Sequence, residues 1–349
     1  MDQLEGKQWK VVSRLSGGRF SDVFKIERVV EGKESELRMG EPVNYSIFAL
    51  KVVDPDECKP PHNIRNEIQI LQKLEEHRRR SPTRRTNNVV TLVDVIYNNV
   101  EYGLIFPYYD LSLTAYIKKN IKTRSKFNLD GSISPERINN VPIATTKSLL
   151  YGILNGLSWI HDLGIIHRDI NPNNILLAND KEISPVIIDF GISYEEPDNN
   201  GLESCNMKFT DIATGFYKAP ELLLSKRDYS NKVDIWAVGI LMTLLLSEDG
   251  REVFDPDATN SDLVLLSNII SVFGSPPTDW SDCVGLSSFE AMNTTFFKKP
   301  AKPLEEIIPR LFKNPHLPEF GPLRKLFVGL TQYENKHRLS AADALKLLC

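Results

Sequence analysis

Asp169, Asn174 and Asp189 stand five and fifteen residues apart, in short polar stretches that each follow an apolar run. Carboxylate and amide oxygens are the ligands a hard divalent cation prefers, and a carboxylate beside a hydroxyl can take its proton. Far upstream, Ala49-Leu50-Lys51 places a lysine in a β-branched and aromatic run, and Glu67 follows in a stretch with helical spacing. Earlier still, Ser16-Gly17-Gly18-Arg19-Phe20-Ser21-Asp22-Val23 contains adjacent glycines, where bare backbone amides could approach phosphates closely. Bound phosphates, a divalent cation, an oriented hydroxyl and a group to take its proton are what phosphoryl transfer needs. The chain offers a candidate for each.

The elements that must position these residues change character near 106–110. Before that point, 9–15, 21–30, 45–53, 89–97 and 102–106 are β-branched or aromatic runs that predict strands. Polar stretches at 31–44 and 77–88 separate some of them. Ile64, Ile68, Leu71 and Leu74 recur at three and four residues and predict one helix over about 64–74. Pro60 and Pro61 lie just upstream, where proline is tolerated. Beyond 106, Leu149, Leu150, Ile153, Leu154, Leu157 and Ile160 form one stripe of a helix over 144–161. The polar, turn-rich stretch 123–141 before it predicts a loop insertion. Short strands are expected near 174–177 and 186–188, then mostly helix from 233. The expected architecture is α+β, with a small β-rich lobe over 1–106 and a larger helical lobe over 107–349.

A length of 349 residues with 41% hydrophobic and 25% charged side chains suits a soluble two-lobed globular protein. Its net charge of −4 gives no reason to expect nucleic acid. The basic stretch 78–85, RRRSPTRR, reads as a solvated loop, with a partner-binding or phosphorylated patch as the alternative. Cys58, Cys205, Cys283 and Cys349 are too scattered for a disulfide framework or zinc site. The first ten residues lack the sections of a signal peptide. The longest apolar run, 235–246, is short for a bilayer span and predicts a buried helix. An intracellular protein, cytoplasmic or nuclear and free of membrane, is expected.

His167-Arg168-Asp169-Ile170-Asn171-Pro172-Asn173-Asn174 resembles the catalytic loop of eukaryotic protein kinases, and Asp189-Phe190-Gly191 resembles their metal-binding tripeptide. The resemblance implies that Asp169 orients and deprotonates the acceptor hydroxyl and that Asn174 and Asp189 hold Mg²⁺, with Mn²⁺ suited to the same oxygens. Lys51 would hold the ATP phosphates with Glu67 as its partner, Glu75 and Glu76 being neighbouring alternatives. The stretch 16–23 is similar to the G-x-G-x-x-G-x-V loop but keeps glycine only at the middle position, Gly18, with Gly17 beside it. Leu15 and that loop, with Ala49 and Phe106-Pro107-Tyr108-Tyr109, are then expected around ATP. Thr214-Gly215-Phe216-Tyr217-Lys218-Ala219-Pro220-Glu221 resembles the end of an activation segment, in which Thr214 would contact Asp169 and imply a serine or threonine acceptor. Glu221 would pair with Arg338, and Asp234 would fix the catalytic-loop backbone. These motifs cover about 15–348.

Phe273-Gly274-Ser275-Pro276-Pro277 and Trp280 resemble the insert shared by cyclin-dependent kinases (CDKs) and MAP kinases. Within that group, Pro60-Pro61-His62-Asn63, 188–194 and 210–221 are more similar to the monomeric CDK-activating kinases of budding yeasts than to the CDKs. That resemblance implies a monomer that needs no cyclin and phosphorylates the activation-loop threonine of CDK substrates. A cyclin-partnered or proline-directed CDK-like kinase and a pseudokinase scaffold are the alternatives. Asn171 raises the second, because serine/threonine kinases carry there a lysine that neutralises the transferring group. Loss of one such stabiliser costs on the order of 10²–10³ in rate. Intact Lys51, Asp169, Asn174 and Asp189 argue for an enzyme. Phe209 occupies the position of a CDK's activating threonine, so Arg168 would lack a phosphorylated partner and activity is expected without that phosphate. Lys218 stands where CDKs carry arginine, so no strict demand for proline after the acceptor is expected.

Overall fold

The computed structural model describes residues 9–18, 20–28, 47–81, 87–179, 183–197, 199–295, 298–313, 317 and 320–349. Arg19, the polar stretch 31–44 and residues 82–85 of the basic run lie outside the described residues.

Alternation of side chains builds the first lobe. Strands β1 (Trp9–Gly17), β2 (Asp22–Arg28), β3 (Ile47–Val53), β4 (Asp94–Tyr97) and β5 (Tyr102–Pro107) form an antiparallel sheet in the order β1-β2-β3-β5-β4. Phe48, Leu50 and Val52 of β3 pack with Trp9, Phe24, Ile26 and Ile105 on one face. Ala49 and Lys51 take the other face, since successive strand residues alternate. The register sets Val23 and Leu104 beside Lys51, and Lys25 and Phe106 beside Ala49. Of the predicted run 89–97 only Asp94–Tyr97 is strand, while Val89 bridges singly to Ile187.

Helix α1 (Ile64–Arg80) starts at an Asn63 cap, whose side chain accepts from Asn66 N at 3.0 Å. It runs six residues beyond the predicted end because Arg78 pairs with Glu75 and donates to the Val89 and Val90 carbonyls at 3.0 and 3.2 Å. Arg78, Arg79 and Arg80 are therefore the last turn of a helix rather than part of a loop, and basic side chains suit that end of the macrodipole.

The second lobe follows with β6 (Leu111–Ser112), α2 (Leu113–Asn120), β7 (Ile121–Phe127), β8 (Ile133–Asn139), α3 (Ile143–Asp162), β9 (Ile165–Ile166), β10 (Ile175–Asn179), β11 (Ile183–Ile187) and β12 (Tyr194–Glu195). Helices α4 (Pro220–Leu223), α5 (Lys232–Leu246), α6 (Asp262–Phe273), α7 (Ser287–Thr295), α8 (Leu304–Ile307), α9 (Phe320–Leu330) and α10 (Ala341–Lys346) complete it. The stripe of α3 is wholly buried. Gly156 lets α3 lie close to its neighbours, since a Cβ there would stand 2.8 Å from the Asn88 carbonyl. Helix α5 is apolar all round because it is enclosed on every side. Among the described residues no helix is long and apolar enough to cross a membrane.

The loop predicted over 123–141 is instead a hairpin, β7 paired with β8 from Ile121↔Asn139 to Phe127↔Ile133. The first strand is exposed almost throughout and the second is only half-buried on one face, so no apolar alternation announced them. The turn carries the one local signal, Asp130-Gly131, with Gly131 at φ 80°.

Candidate active site

Lys51 projects from the cleft face of β3, and its Nζ lies 2.7 and 2.9 Å from the Glu67 carboxylate and 2.8 Å from Asp189 Oδ1. Glu75 turns away to Arg78 and to Leu92 N, and Glu76 to Arg80, which leaves Glu67 as the partner. Burial alone pulls the Lys51 ammonium down, but Asp189 and Glu67 override it and hold it above its ordinary value. Burial pushes the Asp189 carboxyl up, and Lys51 more than offsets this, bringing it to about 2. The ion pair thus keeps Asp189 ionised at any physiological pH.

The catalytic-loop segment leaves the buried strand β9, and its backbone is fixed from α5. Asp234 accepts His167 N at 2.9 Å and Arg168 N at 2.8 Å, and meets His161 Nε2 at 2.8 Å. Arg168 (φ 71°) and Asp189 (φ 65°) both hold left-handed backbone, a strain that gathers at functional sites. Asp169 Oδ1 accepts from Thr214 Oγ1 at 2.7 Å and Asn171 Nδ2 at 3.0 Å, while Oδ2 accepts from Asn174 Nδ2 at 2.7 Å. Burial nevertheless raises the Asp169 carboxyl.

Asn174 uses its amide nitrogen on Asp169, so its amide oxygen is left for another ligand. Asp189 likewise meets Lys51 and Gly191 N through Oδ1, leaving Oδ2. Among the described residues no group of three His, Cys, Asp or Glu side chains could hold a metal. Two hard oxygens fit an ion that takes its remaining ligands from phosphate and water. Asn171 does different work from a lysine. Its Oδ1 accepts from Asn173 N at 2.9 Å and Asn174 N at 3.3 Å, capping the turn that carries Asn174.

A cavity of about 180 Å³ lies between the glycine stretch and α1, lined by Gly18, Phe20, Ser21, Lys51, Glu67 and Asp189 among others. The Gly18 amide donates to the Ser21 carbonyl at 2.7 Å, and the Phe20 ring stands 4.4 Å from the His62 ring. Leu15, Ser16 and Gly17 end β1, and Arg14 folds over Gly17 to reach Asp22 at 2.6 Å. Val23, Ala49 and Phe106 share the sheet face that carries Lys51. Pro107 closes β5, the Tyr108 ring lies 4.7 Å from Lys25 Nζ, and Tyr109 packs on the main core.

No motif or spacing pointed to Glu203. Its carboxylate meets the Arg168 guanidinium twice, at 2.8 and 2.9 Å, with both side chains almost wholly buried. Glu203 also accepts from Phe209 N at 2.8 Å and Asn199 Nδ2 at 3.3 Å, and Asn199 Oδ1 accepts from Asn66 Nδ2 of α1 at 3.1 Å. A carboxylate of the chain itself therefore fills the place opposite Arg168 and links the catalytic loop to α1. Glu221 and Arg338 form a second buried pair at 2.6 and 3.0 Å; breaking such a pair costs about 3–5 kcal/mol.

A groove of about 600 Å³ opens beside Thr214, lined by Thr114, Lys118, Asn171, Asn173, Phe216 and Glu252 among others. Burial pushes the Glu252 carboxyl up to about 7, against a 2.8 Å hydrogen bond from Tyr217.

The chain belongs to the protein kinase family: the Protein kinase domain model matches residues 25–347. Its relatives are kinases of the CDK group. It is 30% identical over 278 residues to serine/threonine-protein kinase CAK1 of Saccharomyces cerevisiae, covering 70% of this chain and 73% of that one. It is 29% identical over 304 residues to cell division control protein 2 homolog 3 of Trypanosoma brucei brucei, covering 86% and 82%. With cyclin-dependent kinase 17 of Caenorhabditis elegans it shares 27% over 343 residues, 96% of this chain but 43% of that protein. The chain is an ATP-dependent serine/threonine protein kinase with the bilobal α+β fold.

Proposed function

We propose that this kinase phosphorylates the activation-loop threonine of cyclin-dependent kinases, acting as a monomer and without a cyclin. The observation that carries this reading is the buried Arg168–Glu203 pair. Charge opposite Arg168, and the tie from there to α1 through Asn199 and Asn66, are supplied by the chain alone. The similarity to CAK1 and the motif over 210–221 support the substrate class. Such a substrate implies work in the cytoplasm or nucleus.

ATP supplies the phosphoryl group when bound, and its Mg²⁺, or Mn²⁺, neutralises charge on the phosphates. Lys51, held by Glu67, would hold the phosphates, and Asn174 and Asp189 would offer the metal their oxygens. Asp169 accepts the proton of the threonine hydroxyl, oriented by Thr214, Asn171 and Asn174. Val23, Ala49 and Phe106–Tyr109 would border the nucleotide.

Lys218 is held by Asp262 at 3.1 and 3.3 Å and by Asp211 at 3.4 Å. A peptide library is expected to show no strict requirement for proline after the acceptor, and a uniform Ser/Thr-Pro preference would refute this. The substrate assignment is tested with ATP, Mg²⁺ and a CDK whose activation-loop threonine is intact or replaced by alanine. Label on the intact protein alone is expected; equal label on both would sink the assignment.

A further inference from the structure

The β7–β8 hairpin contributes no residue to the catalytic site. Its base is fastened to the end of α5 and the segment after it. Asn139 Nδ2 donates to the Leu245 and Ser247 carbonyls at 3.1 and 3.0 Å, Asn139 N to Glu248 O at 2.7 Å, and Arg137 Nε to Asp249 O at 3.2 Å. Ile121 sits against Gly250, where a Cβ would stand 2.1 Å from its side chain. Gly250 in turn begins the stretch lining the groove beside Thr214. The hairpin is thus rooted at the groove in which an acceptor segment would lie.

Among the described residues neither strand pairs with any strand but its partner. The two strands form a sheet of their own, and an isolated two-stranded hairpin is marginal in water. At the tip Phe127 is 77% and Ile133 61% exposed, facing each other across the register, with Leu129 fully exposed in the turn. Lys122, Arg124 and Lys126 alternate onto the opposite face, with Glu136 set against Arg124 and Lys126. Between 121 and 139 there are four basic and two acidic side chains, a surplus of two in a chain whose net charge is −4. An exposed apolar tip beside a basic face marks a protein-contact surface, and the charge selects an acidic partner.

We propose that the β7–β8 hairpin is a docking finger that captures an acidic surface of the protein substrate while the acceptor segment enters the groove. This rests on the kinase acting on a folded protein partner such as a CDK. Lys122→Glu/Arg124→Glu/Lys126→Glu changes only exposed side chains, and a melting curve matching the wild type verifies the fold. Against a CDK, the variant is expected to raise KM about 10-fold, the low end of the range for electrostatic steering, with kcat unchanged. The wild-type KM should rise with salt, and kcat/KM on a short neutral peptide should be the same for both proteins. Equal KM on the CDK, or an equal fall on peptide and protein, overturns the proposal. If the wild type leaves the CDK unlabelled, the substrate assignment has failed, and acidic casein serves as the protein arm. There too a raised KM supports the docking finger and an unchanged one overturns it.

Discussion

Asp169→Asn is expected to lower turnover by about 10²–10⁴-fold, the range a positioned general base supplies, while ATP binding is unchanged. The substitution keeps the shape of the side chain and can still accept from Thr214, which now lies 2.7 Å from Oδ1. What it removes is the capacity to take a proton. Because burial raises the Asp169 carboxyl, the acid limb of wild-type kcat should lie above the ordinary aspartate value of about 3.9. As pH falls through that raised value the base is protonated and turnover is lost. Asp189, held at about 2 by Lys51, stays ionised throughout and does not contribute to the limb. A wild-type acid limb at or below the ordinary value, or an Asp169→Asn variant that keeps full turnover, would contradict the role given to Asp169.

The second large effect concerns Glu203. Glu203→Ala leaves the Arg168 guanidinium buried without its carboxylate, and breaking a buried pair in this way destabilises by about 3–5 kcal/mol. Denaturant titration should show the midpoint falling with an unchanged slope. Turnover should fall as well, because Glu203 holds Arg168 beside Asp169 and reaches α1 through Asn199. Glu203→Asp, which keeps the charge on a shorter arm, should recover part of both. Since the negative charge is built in, phosphatase treatment of the wild type should leave its turnover intact. Loss of turnover on that treatment, or a Glu203→Ala variant as stable as the wild type, would refute the assignment.

Much of the site was legible because its chemistry fixes residue type and spacing together. Asp169 and Asn174 sit on one turn, so their separation is a local geometric necessity, and the Asn171 cap holds that turn. Lys51 and Glu67 are joined by a strand and a helix whose periods both show in the sequence. Glu203 was invisible for the converse reason. It reaches Arg168 from 35 residues away through irregular chain, where no period links position to contact. The hairpin at 121–139 was misread because neither of its faces is buried, and hydrophobic alternation exists only where one face is. The extension of α1 was hidden because Arg78 is held by Glu75 and by carbonyls eleven and twelve residues on, contacts that composition reads as solvated charge.

Glu203 and the hairpin share a consequence. The first supplies within the chain a charge that could otherwise come by phosphorylation, and the second, as the proposed docking finger, would supply a recognition surface outside the cleft. Both suit an enzyme that works on a folded partner without an activating subunit.

The most direct test is to map the phosphate that the purified, phosphatase-treated chain places on a cyclin-dependent kinase, with ATP and Mg²⁺ and no cyclin present. Phosphate on the activation-loop threonine, absent when Asp169→Asn replaces the wild type, is the expected result. No transfer, transfer only after a cyclin is added, or phosphate at other sites alone would contradict it.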